Sequence, residues 1–379
     1  MNFEDEWAAN EDCLAREAGT LGELLGRMRH TFSPTLFCGR QLEELMAHAH
    51  DLPPTLAGFP LWLGLPIDNS PPSACMDVSL LGGTQSAARV KAAKLSADAG
   101  PAAVVGASLL EETGRKGSPV RRVAGDRVLL HYSVDAGQPG QVESSALLYP
   151  VRATLAGGHA SGRLEDFRLA LDAMATAAGR RPSEDLRLGQ ERVFLAMEPD
   201  TRIGAIGVSP AREGAFRLTV LGFSGLEGVM SFLDRAGWHR RASAAREALA
   251  RLKARGALAG MQLGVQFDVA AAGVRPPLEL QIFSAATIHD DEGWFRDKRC
   301  WTDLMDGLHD EGFADPGKLP ELNEWAFSAK PFLGRSGLLL LLQRIHHFAI
   351  VADDEGGRRI NAHVFLLLSR WPHRARDSS

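Results

Sequence analysis

The sequence predicts an α+β fold of repeated αββα units around a ten-stranded antiparallel β-barrel, with the helices outside. Paired extended runs are joined by short segments rich in glycine, proline and aspartate, which makes antiparallel hairpins the expected strand arrangement. The succession helix, strand, strand, helix recurs at intervals of roughly 65 to 80 residues. Most of the strands alternate apolar with polar residues, so each should present one face to helices and the other to a second environment.

That second environment can be solvent or the interior of a closed barrel. An open antiparallel sheet commonly leaves one face wet. Closure of about ten strands would instead enclose the polar faces in a wide lumen and would remove the exposed sheet edges. We predict the barrel, as a single domain over residues 1–379 on which a helical segment, residues 1–55, packs.

Composition narrows the classes of partner. The 379 residues carry a formal charge of −5, which gives no electrostatic attraction to nucleic acid or to a membrane surface, so neither is expected as a partner. The four cysteines lie far apart, without the spacing of a metal knuckle or redox pair. The acidic N-terminus lacks the basic start and apolar run of a signal peptide. We therefore expect a reduced, cytoplasmic protein.

Apolar periodicity locates the helices, and turn-rich connections separate the strands of each hairpin. Two short helices are predicted within residues 20–50, and longer ones at 84–97, 163–178, 226–236, 242–253, 294–309 and 319–327. Strand pairs are predicted at 59–65 with 74–81, at 127–134 with 142–149, and at 261–269 with 278–284. Three extended runs, 193–197, 203–208 and 216–222, contain a further pair, and 114–126 is predicted to be a basic surface loop.

A fifth hairpin is predicted at residues 338–371, around the turn cluster Asp353-Asp354-Glu355-Gly356-Gly357. Successive side chains of a strand point to opposite sides, so the residues of the first strand divide between two faces. One face holds Gln343, Ile345, His347, Ala349 and Val351, and the other holds Arg344, His346, Phe348 and Ile350. In the second strand the polar face holds Asn361, His363, Phe365 and Ser369.

Part of this pattern resembles a known family. The hairpin FDV…GVRPPLELQIF at residues 267–283, followed by helices and the last strand NAHVFL at 361–366, is similar to the αββα-barrel prenyltransferases, especially the dimethylallyl-tryptophan synthase type. The resemblance covers the C-terminal half of the chain. It implies a biosynthetic transferase that, without metal or other cofactor, moves a prenyl group from an allylic diphosphate to an aromatic or peptide-borne acceptor. Lumen cations would hold the diphosphate, and aromatic side chains would shield the allylic cation.

The chain departs from that family where a Lys-x-Tyr pair is expected. The two strands carry Gln281-x-Phe283 and His363-x-Phe365 instead. Glutamine brings no charge to a diphosphate, so cationic contacts would fall on Arg217, on Arg344 or on lysines and arginines at the barrel mouth. The catalytic candidates, which would orient the acceptor or accept its proton, are Glu279 and His363. The substrate-binding candidates are Arg217, Gln266, Gln281, Phe283, Arg344, His347 and Phe365.

No metal site is predicted. Adjacent strand residues point to opposite faces, so His346 and His347 should not chelate together. His347 and His363 could converge across the last hairpin, but the sequence identifies no third ligand. The run His289-Asp290-Asp291-Glu292 resembles half of an aspartate-rich magnesium-diphosphate motif, but it lacks a second aspartate at helical spacing, and a solvated helix start accounts for it.

Two other functions stay open at this stage. The barrel could bind a peptide or small molecule for a partner enzyme without catalysing a reaction. The polar sheet face could instead be an interface between subunits, and the oligomeric state does not follow from the sequence. Because a diphosphate needs several converging donors, the number of cations in the lumen should distinguish a prenyltransferase from a binding barrel.

Overall fold

A computed structural model describes the chain between residues 3 and 370. Within this span it describes all residues except 38, 59, 71–72, 94–99, 126, 136–140, 152–154, 159–160, 211, 213, 239–242, 286–297 and 353–357. The predicted acidic run at 289–292 and the turn cluster at 353–357 therefore lie outside the described residues.

The strands form a closed antiparallel barrel. They are β1 (Leu61–Pro66), β2 (Ser73–Leu81), β3 (Arg127–Asp135), β4 (Val142–Leu148), β5 (Arg202–Val208), β6 (Ala215–Phe223), β7 (Met261–Ala270), β8 (Gly273–Ser284), β9 (Ala329–Gly334), β10 (Gly337–Ala352) and β11 (Arg358–Arg370). Strands β1 to β8 pair in chain order, β8 pairs with β10, β10 with β11, and β11 with β1. Strand β9 lies beside the first half of β10 and is not needed for closure.

Helices between the hairpins cover the outer face of the barrel. They are α1 (Phe3–Glu17), α2 (Leu21–Arg27), α3 (Gly39–Ala49), α4 (Gln85–Ala93), α5 (Pro101–Gly114), α6 (Pro119–Ala124), α7 (Ser161–Ala177), α8 (Glu184–Leu195), α9 (Leu226–Ala236), α10 (Ser243–Ala254), α11 (Lys298–Asp310) and α12 (Lys318–Ala326). Helix α9 is capped at its C-terminus by Gly237, whose φ of 90° is a left-handed conformation that glycine adopts readily. None of the described helices combines the length and apolarity needed to cross a bilayer.

Alternation along the strands divides their side chains between two apolar clusters. In β3, Val128 and Leu130 are buried against the helices, whereas Leu129 between them belongs to a smaller cluster inside the barrel. A slip of one residue would exchange these two sets, so burial fixes the strand register. The inner cluster consists of Trp62, Leu129, Leu147, Ala205 and Phe365, with Tyr149 packed against it.

The first helix joins the two ends of the chain. The side-chain amide of Asn10 donates to the carbonyl of Gly58, just before β1, and to that of Leu368 in β11. The buried carboxylate of Glu17 accepts hydrogen bonds of 2.6 Å from the backbone N–H groups of Arg335 and Ser336, in the turn between β9 and β10. Helix α1 therefore fixes both the closing strand and the β9–β10 turn.

The predicted fold, αββα units around a closed ten-stranded antiparallel barrel with helices outside, is confirmed. The prediction of an extended run at 193–197 is wrong, because Val193 and Phe194 lie on the buried face of α8. The predicted loop at 114–126 contains α6, which Ser118 caps by accepting a hydrogen bond from Val120 N–H. Helix α5 and strand β9 were not predicted. The assignment of the whole chain to one domain stays a prediction.

A cavity inside the barrel as the candidate active site

The barrel encloses a cavity of about 1060 Å³. This volume slightly exceeds the usual range for small-molecule sites, about 300–1,000 Å³, so the cavity has room for two small ligands. All ten barrel strands contribute to its wall. The polar and charged residues of the wall are Ser73, Asp77, Arg127, His131, Ser133, Gln141, Glu143, Arg202, Arg212, Arg217, Thr219, Gln266, Glu279, Gln281, His346, His347, Arg359, Asn361 and His363.

Seven of the nine site residues predicted from the sequence line this cavity. They are Arg217, Gln266, Glu279, Gln281, Phe283, His347 and His363. Phe365 belongs to the inner apolar cluster beside the cavity. Arg344 is not among the residues of the wall, and this prediction is corrected: its guanidinium donates to the backbone carbonyls of Ser328 at 3.2 Å and Gln343 at 2.7 Å.

A β-bulge in β10 changes which residues face the lumen. The pairing of β10 with β11 is regular up to Ile345 and resumes at His347, so the register shifts by one residue. Both His346 and His347 consequently line the cavity, against the prediction that they face opposite sides. The same shift places Gln343 and Ile345 on the buried outer side, away from His347, with which they were predicted to share a face.

Three of the predicted residues converge on the wall formed by β8, β10 and β11. The Nε2 atom of His347 lies 3.9 Å from Oε1 of Glu279, and Nε2 of His363 lies 4.0 Å from the same oxygen. The two imidazole rings stack with centroids 4.1 Å apart and planes 8° apart. Phe283 stacks on the other face of His347, at 4.8 Å. The lumen thus holds a stack of three rings beside one carboxylate.

The protonation states of this group follow from its burial and neighbours. Burial lowers the pKa of His363 to about 3, and the adjacent His347 adds to the effect, so His363 is neutral at pH 7. Burial acts to raise the pKa of Glu279. The neighbouring imidazoles and a hydrogen bond from Gln281 outweigh burial, and the pKa of Glu279 lies below its ordinary value. Glu279 is therefore ionised at neutral pH.

Five arginines line the cavity, and two of them are held by carboxylates. Asp268, buried behind the wall, accepts hydrogen bonds from Arg217 Nε at 3.0 Å and from Arg212 Nη1 at 2.5 Å. Arg212 also pairs with Glu143, at 2.7 Å. Burial acts to raise the pKa of Glu143, but its hydrogen bond and charge interaction with Arg212 lower the pKa overall. These pairs hold the guanidinium groups in fixed positions at the wall.

A third arginine, Arg127, lies over two aromatic rings at the end of the barrel where β1 begins. Its guanidinium carbon is 5.1 Å from the ring centroid of Trp62 and 5.4 Å from that of Tyr149, and Nη2 donates to Ser79 Oγ. Such contacts stabilise a cation by about 0.5–2 kcal/mol and fix its plane. Arg127 therefore presents a positive charge beside an apolar, aromatic wall.

A histidine and a carboxylate form a second polar pair in the lumen. His131 in β3 and Asp77 in β2 are register partners, and Nδ1 of His131 lies 2.5 Å from Oδ1 of Asp77. A carboxylate bonded to one ring nitrogen of histidine orients the ring and leaves the other nitrogen for chemistry. Because both side chains border the cavity, the pair lies within reach of a bound molecule.

Comparisons with known proteins support the fold. No family model and no curated protein matches the chain. Among solved structures, AnaPT from Neosartorya fischeri matches over 88% of this chain and 89% of its own, with 12% identity and a TM-score of 0.53. NotF prenyltransferase matches over 90% and 92%, with 12% identity and a TM-score of 0.51. A 5-dimethylallyl tryptophan synthase from Streptomyces coelicolor, in complex with DMASPP and Trp, matches over 96% and 98%, with 15% identity and a TM-score of 0.50.

The chain has the αββα-barrel prenyltransferase fold. In this αββα barrel several site residues could not be identified from the sequence. The alternation of residues 127–134 predicts that Arg127 and His131 share the polar face of their strand. It gives them no role, because their partners Trp62, Tyr149 and Asp77 lie on other strands. The only signal available was position: each falls on the polar face of a predicted strand.

Proposed function

We propose that this αββα-barrel protein transfers a prenyl group from an allylic diphosphate to an aromatic or peptide-borne acceptor inside the barrel. The observation that carries the proposal is the enclosed cavity, whose wall combines arginines with aromatic side chains. The Streptomyces synthase was solved with DMASPP and Trp, and NotF with brevianamide F and DMSPP. Those complexes support the same two classes of ligand here, a prenyl diphosphate analogue and an indole-containing molecule.

The reaction requires a leaving group, a cation and a proton acceptor. The allylic C–O bond breaks, and the diphosphate leaves with the electron pair. A carbon of the electron-rich ring then forms a C–C bond to the allylic cation, and the ring loses its proton to a base. Stabilisation of the departing diphosphate and protection of the cation from water are the two tasks of the protein.

Arg127 and Arg217 are our candidates for the diphosphate. Both line the cavity, and both are fixed in place, Arg127 by its aromatic neighbours and Arg217 by Asp268. Guanidinium groups suit phosphate oxygens because they offer paired N–H donors in one plane. Gln281, Gln266 and Phe283 keep their predicted roles in substrate binding. Phe283 and Trp62 supply apolar surface on which an allylic cation would be shielded from water.

His131 is our candidate for the proton acceptor, with Asp77 as its positioning residue. Glu279 and His363 were the candidates from the sequence, but each has a lowered pKa and is therefore a weak base at neutral pH. Glu279 suits a different task, since an ionised carboxylate can accept a hydrogen bond from an N–H group of the molecule that receives the prenyl group. We assign His131 to proton transfer and Glu279 to acceptor orientation.

Thermal unfolding with dimethylallyl, geranyl and farnesyl diphosphate, without added metal, tests the proposal. A donor that binds only the folded protein raises its Tm. We expect the rise to shrink in Arg217→Ala and Arg127→Ala and to persist in Arg187→Ala, whose partner Asp172 lies on the surface. Acceptor screening with mass detection of a prenylated product then follows. Absence of a Tm rise with every donor would refute the proposal.

A non-catalytic binding barrel is the second candidate. The observation that favours it is the neutralisation of Arg212 and Arg217 by Asp268 and Glu143, which lowers the charge available for a diphosphate. In that case a peptide or small molecule would bind without reaction. Stabilisation by indole-containing peptides, with no shift from any diphosphate and no prenylated product, would identify this function.

A further inference from the structure

The carboxylate and imidazole groups of Glu279, His347 and His363 point toward one another in the lumen. Their three candidate ligand atoms lie within 4.8 Å of one another. Nε2 of His347 is buried and has no hydrogen-bond partner among the described residues. A buried ring nitrogen without a partner is costly unless something binds it. We propose that Glu279, His347 and His363 form a binding site for one divalent metal ion of the zinc type.

The ligand atoms must move closer together on binding. With metal–ligand bonds of about 2.0–2.1 Å, tetrahedral ligand atoms lie roughly 3.4 Å apart. The separations of 3.9 and 4.0 Å from Glu279 Oε1 to the two Nε2 atoms exceed this by about half an ångström. The parallel rings must also tilt, because a metal binds in the plane of each imidazole. Rotation about χ2 of the two histidines is the movement that this requires, and the ion would open the stack.

The carboxylate is already oriented by a chain of amides. Gln281 Nε2 donates to Oε1 of Glu279 at 3.0 Å, and Gln266 Nε2 donates to Oε2 at 3.2 Å. Gln266 is held in turn by the hydroxyl of Thr219, at 3.0 Å. Hydrogen bonds of this kind to metal-binding carboxylates commonly fix their orientation and raise metal affinity. With these hydrogen bonds in place, Oε1 lies 3.9 Å from Nε2 of His347 and 4.0 Å from Nε2 of His363.

One of the histidines is positioned in the same way. Nδ1 of His347 lies 2.7 Å from Nδ1 of His346, the extra residue that the bulge in β10 turns into the lumen. If His347 carries its proton on Nδ1 and donates to His346, its Nε2 lone pair is available to a metal. His346 is thus a positioning residue for this site. The bulge therefore brings both the ligand His347 and its hydrogen-bond partner His346 to the lumen.

Ligand chemistry selects the ion. Two neutral imidazoles and one carboxylate suit Zn²⁺ and related transition-metal ions, whereas Mg²⁺ and Ca²⁺ prefer oxygen ligands throughout. Three protein ligands leave at least one coordination position, which would face the cavity. Water or an anionic oxygen of a ligand could occupy it. The ion would compete with an N–H group of the prenyl acceptor for Oε1 of Glu279. Zinc should therefore slow a prenyl transfer that proceeds in the presence of a chelator. Only this consequence depends on the proposed function.

Calorimetric titration of the metal-free, full-length protein with ZnCl₂ tests the site without any prenyl donor. We expect one ion per chain. Glu279→Gln, His347→Gln and His363→Gln should each weaken binding at least tenfold, because loss of a ligand costs no less than loss of an outer-shell partner, which costs about 10–100-fold. His131→Gln, in the same cavity, and His309→Gln, on the surface, should bind as wild type does. Urea unfolding of each variant confirms that it is folded.

A measurement on the wild type covers the case in which a variant does not fold. X-ray absorption at the zinc edge should show a nitrogen and oxygen shell with the pattern of two imidazoles. The proposal is overturned if wild type binds no zinc well above micromolar concentration, or if the three glutamine variants bind as tightly as wild type. It is equally overturned if His131→Gln abolishes binding. A failure here leaves the donor-binding test of the proposed function unaffected.

Discussion

Arg217 and Asp268 are register partners on β6 and β7, and the arginine Nε lies 3.0 Å from the aspartate Oδ1. Asp268 is nearly inaccessible to solvent, with 5% of its surface exposed, and it holds Arg212 as well. One buried carboxylate therefore places two cavity arginines. Their positions depend on a residue that is not itself part of the cavity wall.

We expect Asp268→Asn to destabilise the protein and to weaken donor binding. The amide cannot accept charge-assisted hydrogen bonds from both arginines, and the loss of such a bond costs about 1.5–3 kcal/mol. Urea unfolding measures the first effect, and the donor-induced rise in Tm measures the second. Glu227→Gln removes a pair with Lys253 on the surface and should change neither. Equal stability of Asp268→Asn and wild type would contradict the prediction.

Close packing at Gly64 makes a second prediction. A Cβ added there would lie 2.3 Å from Sγ of Cys75 and 3.0 Å from the ring of His363, so a side chain does not fit beside its register partner. We expect Gly64→Ala to lower the free energy of unfolding by about 1–3 kcal/mol, as overpacking does. Adding Cys75→Ala should restore most of the loss, because it removes the sulfur.

The matched control for this substitution is Gly26→Ala in α2. An added Cβ there meets no atom within 4 Å, and alanine favours a helix over glycine by up to about 1 kcal/mol. That variant should be as stable as wild type or slightly more so. If Cys75→Ala and Gly64→Ala have purely additive effects, the steric explanation is wrong.

The contact between Glu17 and the β9–β10 turn predicts a dependence of stability on pH. Burial acts to raise the pKa of Glu17, but hydrogen bonds from Ser336 and Arg335 N–H and from Arg27 lower it below its ordinary value of 4.5. A carboxyl whose pKa is lower in the folded state stabilises the protein above its unfolded pKa and loses that effect as the pH falls through its folded pKa.

We therefore expect Glu17→Gln to cost about 1–3 kcal/mol at pH 7. The difference from wild type should shrink as the pH falls below about 4.5, since the wild-type carboxyl then takes up a proton. Urea unfolding at a series of pH values measures it. Glu43→Gln, which breaks an exposed pair with Arg29, should show little difference at any pH. A constant difference across the series would rule out the carboxylate as its cause.

Stacking of Arg127 on Trp62 and Tyr149 predicts that its shape matters as well as its charge. Arg127→Lys keeps the positive charge but loses the planar contacts and the paired N–H donors. We expect donor affinity to fall about fivefold, equivalent to about 1 kcal/mol. The donor concentration that gives half of the maximal Tm rise measures the change. Arg187→Lys on the surface is the control, and an unaltered affinity in Arg127→Lys would oppose the assignment.

The sequence was sufficient to predict most of the fold, because hairpins and amphipathic faces are local patterns. The alternation of Met261, Leu263 and Val265 with polar residues predicts the two sides of β7, and the structure places these three in the outer core and Gln266 on the cavity wall. Strand β9 was missed because its short run contains Pro331 and lies against only one half of β10. Val193 and Phe194 were misread because two adjacent apolar residues suit a strand as well as a helix.

The candidate site was harder to predict, because it depends on relations between strands. Nothing in the alternation of β10 signals a bulge, so His346 was assigned to the wrong side. The third group beside His347 and His363 is Glu279, which comes from β8, outside the hairpin that carries both histidines. Asp77 meets His131 only because β2 and β3 pair in one particular register. Such contacts are set by pairing, which one sequence does not specify.

The pairing of β1 with β11 has a consequence for synthesis of the protein. Leu61 and Leu366 are register partners, so one edge of the first barrel strand pairs only with a strand that is synthesised some 300 residues later. Until that segment leaves the ribosome, β1 keeps an unpaired edge of the kind that promotes aggregation. Contacts of such long sequence separation also slow folding. Productive expression should therefore benefit from slow induction or from chaperones that cover the nascent first strand.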